Sequence, residues 1–348
     1  MSYLSPQNQG EAISPRLFAF SLAVTEGHFI SDDMICDVLG PAQLPWFRLV
    51  ERKVGGRVRR TGEPVLAHPV DVALRALSLG FGDAILSCAL LHDHVEDCSQ
   101  DLRVGAELLD LVERGGRDRL AHDLHRLTNI YGIILSSSLA LPEGASGVAG
   151  IVDAVRAMQA ALPWNISQRF GLEFHQLCEY LLPEISSRVS PGLGLDGLLR
   201  MVRDEAYQVY IGDLADHVSR SGRPTVLVVK YLDLVDNLRT SSLANKESVR
   251  RILHKAERVL DQTYWLVNRP PSYLPLLYDY AKCHLIQILE QHRAAIRQLP
   301  DTRYVVMDRF YLEETNRMRS KYKVDNAAGT VADLASRIRE ANKTASQE

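Results

Sequence analysis

Sulfur is scarce and unpatterned. The 348 residues hold five cysteines, Cys36, Cys88, Cys98, Cys178 and Cys283, with no CxxC pair among them. An odd, scattered set argues against a disulfide scaffold and a structural zinc site, and fits a reducing compartment. Long apolar runs are missing too: none reaches the ~18–20 residues a bilayer span needs. The opening MSYLSPQNQGEAISP is polar and lacks the hydrophobic core of a signal peptide. Nor is one sign of charge in excess, since 40 basic against 43 acidic residues leave −3. That balance gives no global attraction to nucleic acid or an anionic membrane, so only a local basic patch could do such work. Internal repeats and low-complexity tracts are absent. Secreted, membrane-spanning, collagenous and disordered classes are set aside, and a cytoplasmic protein is expected.

What is present is ordinary for a globular chain with a sizeable core: 46% hydrophobic and 24% charged residues. At ~150 residues per domain the length gives about two domains, or one enlarged one. Helical periodicity dominates. Beyond His68-Pro69, Val70, Ala73, Leu74 and Leu77 make an i, i+3, i+4, i+7 stripe, with Gly80 as the stop. A second segment opens near Asp83 and sets Ala84, Cys88, Leu91 and Val95 on one face. Val249, Ile252, Leu253, Ala256, Leu260, Tyr264 and Val267 form a longer stripe halted by Pro270-Pro271, and another helix is expected from Leu274 to Gln298. Pro224 to Leu238 is ambiguous: Val226 to Val229 begin like a buried strand, but the run also suits a buried helix. Among so many helices it is read as one, and the fold class is all-α.

Residues 132–191 contain SSSLALPEGASG and SPGLGLDG, turn-rich pieces flanking helical segments, and are read as an inserted helical lobe. The polar tail from Asn342 is expected to fray. Tyr264, Trp265, Tyr278 and Tyr280 lie on helical stripes and are expected in the core.

Chemistry points first to His92-Asp93-His94-Val95-Glu96-Asp97. On a helix, His92 and Glu96 share a face, as do Asp93 and Asp97. Mixed imidazole and carboxylate ligands suit ions such as Mn²⁺. A lone His-Asp pair is weak evidence, because with 11 histidines about one arises by chance. His122-Asp123, with His125 nearby, is read as surface or structural. The first pair has better company: Gly62 to Pro69, a rigid turn leading His68 into a helix, and Lys230 to Thr240, where Asp233 sits in an apolar segment. A buried Asp needs a partner or a metal to offset its desolvation.

GEPVLAHP, then LLHDHVEDC, then VKYLDLVDNLRT resemble the HD-domain hydrolase half of the RelA/SpoT family, which degrades the alarmone (p)ppGpp. Three motifs in order over Trp46 to Leu266 carry the resemblance, and Gly56 to Thr61 extends it. It implies one divalent metal ion, Mn²⁺, held by His68, His92, Asp93 and Asp233. It implies Glu96 and Asp97 as the acidic pair beside the activated water, and Arg59, Asn237 and Thr240 as nucleotide contacts, to which the basic cluster adds Arg60. The implied architecture is an N-terminal helical extension over 1–45, an HD helical bundle over 46–268 with the lobe inserted, and C-terminal helices with a polar tail over 269–348. The implied reaction is hydrolysis of (p)ppGpp to GDP or GTP plus pyrophosphate. A divalent ion lowers the pKa of bound water and stabilises charge on phosphoryl oxygens.

The sequence also departs from the pattern. The family's last motif usually reads Asp-Arg-Leu-His-Asn, whereas Leu234 and Asp236 stand here between Asp233 and Asn237. Val65 replaces the aromatic residue usual after Glu-Pro. Nothing after about residue 300 resembles a synthetase, TGS or ACT domain, so a stand-alone hydrolase is implied. Two alternatives stay open: an HD phosphohydrolase for another nucleotide (an adenosine alarmone or a deoxynucleotide), or a weakly catalytic alarmone sensor. The intact Glu96-Asp97 pair speaks against the sensor. Arg52, Lys53, Arg57, Arg59 and Arg60 form a basic cluster suited to a small nucleotide bearing several phosphates. Without interleaved aromatic residues the cluster does not suit RNA. A homo-oligomer is compatible with the sequence.

Overall fold

A computed structural model describes residues 14–59, 62–94, 101–137, 147–190, 193–241, 243, 245–269, 271, 273–298 and 304–345. Among them the architecture is all-α, and the one β-type contact is an isolated bridge between Val58 and Pro64. Glu96, Asp97 and Arg60 lie outside the described residues.

The chain divides into two compact units, one made of residues 1–91 and 218–348 and the other of His92–His217. In the first unit, α1 (Pro15–Thr25), α2 (Asp32–Leu39), α3 (Leu44–Val54), α4 (Ala67–Ser78) and α5 (Asp83–Leu91) follow in order. Local chemistry sets their ends. The Ser31 side chain accepts from the Met34 amide at the start of α2. α4 stops in a Schellman pattern: Phe81 N–H donates to the Ala76 carbonyl at 3.1 Å and Gly80 N–H to Leu77 at 2.9 Å. This needs the left-handed backbone that Gly80 supplies at φ 79°.

The same unit resumes with α14 (Thr225–Arg239), α15 (Lys246–Thr263), α16 (Leu274–Arg297), α17 (Tyr304–Tyr322) and α18 (Ala327–Ala345). α14 is the ambiguous run, and it is a helix. It packs on α4, α5, α15 and α16, which bury its Val, Leu and Tyr side chains on every side. A segment enclosed all round by helices has no sheet edge to join, so its β-branched residues serve a buried helix. α18 in turn seals the end of α4. Asn342 Nδ2 donates to the Leu79 carbonyl at 3.0 Å, and Arg339 Nη1 donates to that of Ser78 at 3.2 Å. Those are carbonyls a helix end leaves without internal partners.

The second unit holds α6 (Leu102–Arg114), α7 (Asp118–Leu127), α8 (Ile130–Ser137), α9 (Gly147–Ala161), α10 (Trp164–Arg169), α11 (Gly171–Gln176), α12 (Leu182–Arg188) and most of α13 (Leu195–Ser221). α6 packs on α7, and α9 on α8 and α12. Its bounds are wider than the 132–191 stretch marked by turn-rich edges. Within it, His217 Nε2 lies 3.2 Å from Asp123 Oδ1, and His217 Nδ1 lies 3.2 Å from His122 Nε2.

Three expectations need correction. Asn342, expected to begin a fraying tail, is 6% exposed and lies within α18, which runs to Ala345, because its amide is held by the Leu79 carbonyl. Tyr278 and Tyr280 are buried, but Tyr264 is 64% exposed and Trp265 44%. They fall on a 3-10 turn, Tyr264–Leu266, which follows α15 and breaks the 3.6-residue stripe. The guanidinium of Arg269 covers the Trp265 ring at 5.1 Å. α5 ends at Leu91, and His92 and Asp93 form a turn. The helical face expected to run on through His92 is interrupted there.

Candidate metal centre

Each side chain of the candidate centre is placed by a different piece of local structure. A short loop leads into α4: Arg59 N–H donates to the Glu63 carbonyl at 2.7 Å, and Val65 N–H to that of Arg57 at 2.9 Å. Gly62 turns it at φ 90°. The loop delivers His68 to the first turn of α4, where Pro69 is tolerated because early helical amides need no internal partner. α14 presents Lys230, Asp233, Asp236 and Asn237 at three- and four-residue spacings, hence along one face. The division between compact units falls at the Leu91–His92 peptide. His92 and Asp93 form the turn that directly follows α5.

One donor atom from each of His68, His92, Asp93 and Asp233 lies within 4.8 Å of the others. His68 Nε2 is 3.2 Å from Asp233 Oδ1, and His92 Nε2 is 3.3 Å from Asp93 Oδ2. An ion bonded to His and Asp at about 2.0–2.2 Å holds any two donors within about 4.4 Å. The cluster is therefore close to the span that a single cation demands. Two imidazoles and two carboxylates also match the donor chemistry of a divalent ion of Mn²⁺ type.

The surroundings fix these side chains. His68 Nδ1 lies 2.7 Å from Asp236 Oδ2, with both side chains almost wholly buried. Burial by itself pushes Asp236 upward, but Arg239, the His68 hydrogen bond and Arg75 more than reverse it, holding the carboxyl well below its ordinary range. An ionised Asp236 can only accept a hydrogen bond, which favours the His68 tautomer with the proton on Nδ1 and the Nε2 lone pair on the side of Asp233. Arg239 is held by Asp236 at 2.7 Å and by Asp71 at 2.6 Å, and Ser21 donates to Asp71 at 2.6 Å. Burial raises Asp71, against the pull of Arg239, and burial likewise raises Glu63.

Asp233 is engaged on both oxygens: Lys230 Nζ lies 2.9 Å from Oδ2, and Asn237 Nδ2 donates to Oδ1. Asn237 Oδ1 accepts from Arg59 at 3.1 Å, while Arg59 Nη1 is buried with no hydrogen-bond partner among the described residues. Thr240 behaves differently. It ends α14, and its hydroxyl donates to the Asp236 carbonyl at 2.9 Å.

Thus His68, His92, Asp93 and Asp233 come together, Asn237 and Arg59 form a chain reaching Asp233, and Thr240 caps its own helix. Sequence reasoning missed Lys230 and Asp236 as neighbours of the ligands and treated Asp236 only as a departure from a motif. The available signal was spacing: charged residues three before and three after Asp233, in an otherwise apolar helix, must share its face.

No family model and no solved structure matches the chain. Four curated relatives match parts of it, among them the following three. A chloroplastic protein of Oryza sativa subsp. japonica named "Probable GTP diphosphokinase" is 30% identical over 138 residues, 35% of this chain and 19% of its own length. The guanosine-3′,5′-bis(diphosphate) 3′-pyrophosphohydrolase of Aquifex aeolicus is 36% identical over 72 residues, 19% of this chain and 10% of its own. A "Probable GTP pyrophosphokinase" of Mycobacterium leprae is 33% identical over 92 residues, 26% and 11% respectively. The matched stretch is under one fifth of each of these relatives. Among the described residues no helix is long and apolar enough to cross a membrane.

Proposed function

We propose that this chain is a RelA/SpoT-family HD-type hydrolase that splits the 3′-diphosphate from (p)ppGpp with the help of one divalent cation, Mn²⁺ by donor type. The observation that carries the reading is the convergence of four donor atoms, drawn from three separate elements, within 4.8 Å. A relative named as the 3′-pyrophosphohydrolase of the same nucleotide supports the reaction class, and those named as GTP diphosphokinases support the guanine nucleotide.

His68, His92, Asp93 and Asp233 would hold the cation. When bound it lowers the pKa of water and neutralises charge on phosphoryl oxygens. Asp236 fixes the His68 tautomer, as carboxylates behind metal-binding histidines do. Lys230 and Asn237 keep Asp233 in place. Arg59, anchored through Asn237, has a buried Nη1 donor to offer a phosphate oxygen. Arg60 adds a second cation, and Glu96 and Asp97 orient water and move its proton. Release of pyrophosphate leaves GDP or GTP.

Purified protein incubated with ppGpp and Mn²⁺ should release pyrophosphate and GDP. Chelation, or the double change His92→Ala and Asp93→Ala, should stop it. ppGpp left intact while an adenosine or deoxynucleotide is consumed would move the assignment to another substrate. Tight ppGpp binding without turnover would make the chain a sensor.

A further inference from the structure

α16 and α17 pack against each other and leave a cavity of about 270 Å³ between them, within the first compact unit. Its wall is dominated by arginine: Arg293 and Arg297 from α16 and Arg319 from α17, joined by Thr315, Asn316 and one carboxylate, Glu290. The arginines are only partly occupied. Asp308 accepts from Arg293 Nε at 2.9 Å and from Arg297 Nε at 2.7 Å, and Glu290 accepts from Arg319 Nη2. Three guanidinium groups against these two carboxylates leave one positive charge in excess. Each guanidinium also has five donors, of which a carboxylate takes one or two.

Two buried atoms here lack a hydrogen-bond partner among the described residues: Arg319 Nε and the Thr315 hydroxyl. Thr315 is only 5% exposed. Buried polar atoms in folded proteins are almost always satisfied, so an unsatisfied pair on two residues that line one cavity calls for a ligand. Arginine donates and never accepts, and a threonine hydroxyl can also donate, so the missing ligand is an acceptor carrying negative charge. The volume, about 270 Å³, is below the ~300–1,000 Å³ of pockets for drug-sized molecules and suits a small ion better than a whole nucleotide.

We propose that this cavity binds a small phosphoryl oxyanion, inorganic phosphate or pyrophosphate, on Arg293, Arg297, Arg319 and the Thr315 hydroxyl. The site is built from α16 and α17 alone and does not depend on the reaction proposed for the α4–α5–α14 centre. Were pyrophosphate preferred, the chain would carry a second site for the leaving group of that reaction.

The test is calorimetric titration of the full chain with phosphate, pyrophosphate and, as a control, sulfate, at low salt and with chelator present so that the metal centre plays no part. One-site binding is expected. Arg319→Gln should weaken it by about tenfold or more, the scale of a lost charge-assisted hydrogen bond. Thr315→Val should weaken it several-fold, and Glu290→Gln should tighten it by freeing Arg319. His92→Ala should leave it unchanged. If Arg319→Gln does not fold by circular dichroism, the opposite shifts of Thr315→Val and Glu290→Gln decide. No binding of either phosphate species by the wild type, or equal affinities in wild type, Thr315→Val and Glu290→Gln, overturns the proposal. Preference for phosphate or for pyrophosphate identifies which ion the site takes.

Discussion

His68 and Asp236 are 168 positions apart in the chain, and their side chains meet at 2.7 Å, buried, at the back of the four-donor cluster. The contact couples the first turn of α4 to the last turn of α14. It also gives residue 236, where the sequence departs from the resembled motif, a defined partner: an ionised Asp236 accepts a hydrogen bond from His68 Nδ1–H, which on the proposed reading leaves Nε2 to hold the cation.

Asp236→Asn should therefore lower Mn²⁺ affinity by about 10–100-fold, the usual scale for groups behind metal ligands, as measured by calorimetric titration. Asp236→Leu should cost roughly 3–5 kcal/mol in urea unfolding, because it leaves Arg239 buried with half its counter-charge. Unchanged metal affinity in the Asn variant would remove Asp236 from the centre.

Saturating Mn²⁺ should stabilise the wild type by about 2.7 kcal/mol at a free ion concentration 100 times Kd, and chelation should reverse the shift. Asp233→Asn and His92→Ala should lose most of that response in thermal melts. A melt indifferent to metal would refute the centre without any assay of activity.

Arg59→Ala removes the donor anchored by Asn237. The expected result is a higher KM for ppGpp with kcat within a few-fold of wild type, the pattern of lost binding. A fall in kcat at constant KM would instead place Arg59 among the groups acting only in the transition state.

His292 lies buried on α16, 3.4 Å from the Arg239 carbonyl, and burial, followed by the charge of Arg239, lowers it from 6.5 to about 4 against the opposing backbone hydrogen bond. A histidine depressed in the folded state is protonated first in the unfolded chain. Stability is then intact above pH 6.5 and falls as pH drops towards 4, by on the order of 3 kcal/mol. Urea unfolding between pH 7 and 4 should show the slope, and His292→Gln should flatten it. His284, likewise buried and lowered, will leave some slope in the variant.

Asn342→Ala should destabilise by about 1–3 kcal/mol in the same assay, since the Leu79 carbonyl would lose a buried donor. A negligible change would mean that the end of α4 is sealed by other contacts.

The sequence by itself determined the all-α class and several of the helices, because apolar spacing is a local property. The stripes from Val70 and from Leu274 and the stop at Gly80 correspond to α4, α16 and the Schellman turn. It also named the residue types suited to a metal, since motif order survives in one dimension. Local pattern failed where the helix was interrupted, at the His92-Asp93 turn and at Tyr264 and Trp265, because periodicity carries no information about where hydrogen bonding stops. Tertiary packing decided that Thr225–Arg239 is a helix, by enclosing it on all sides. It alone joined Asp236 to His68, Asn237 to Arg59 and Asn342 to Leu79, because contacts between distant residues depend on how helices pack, and no spacing along a chain encodes them.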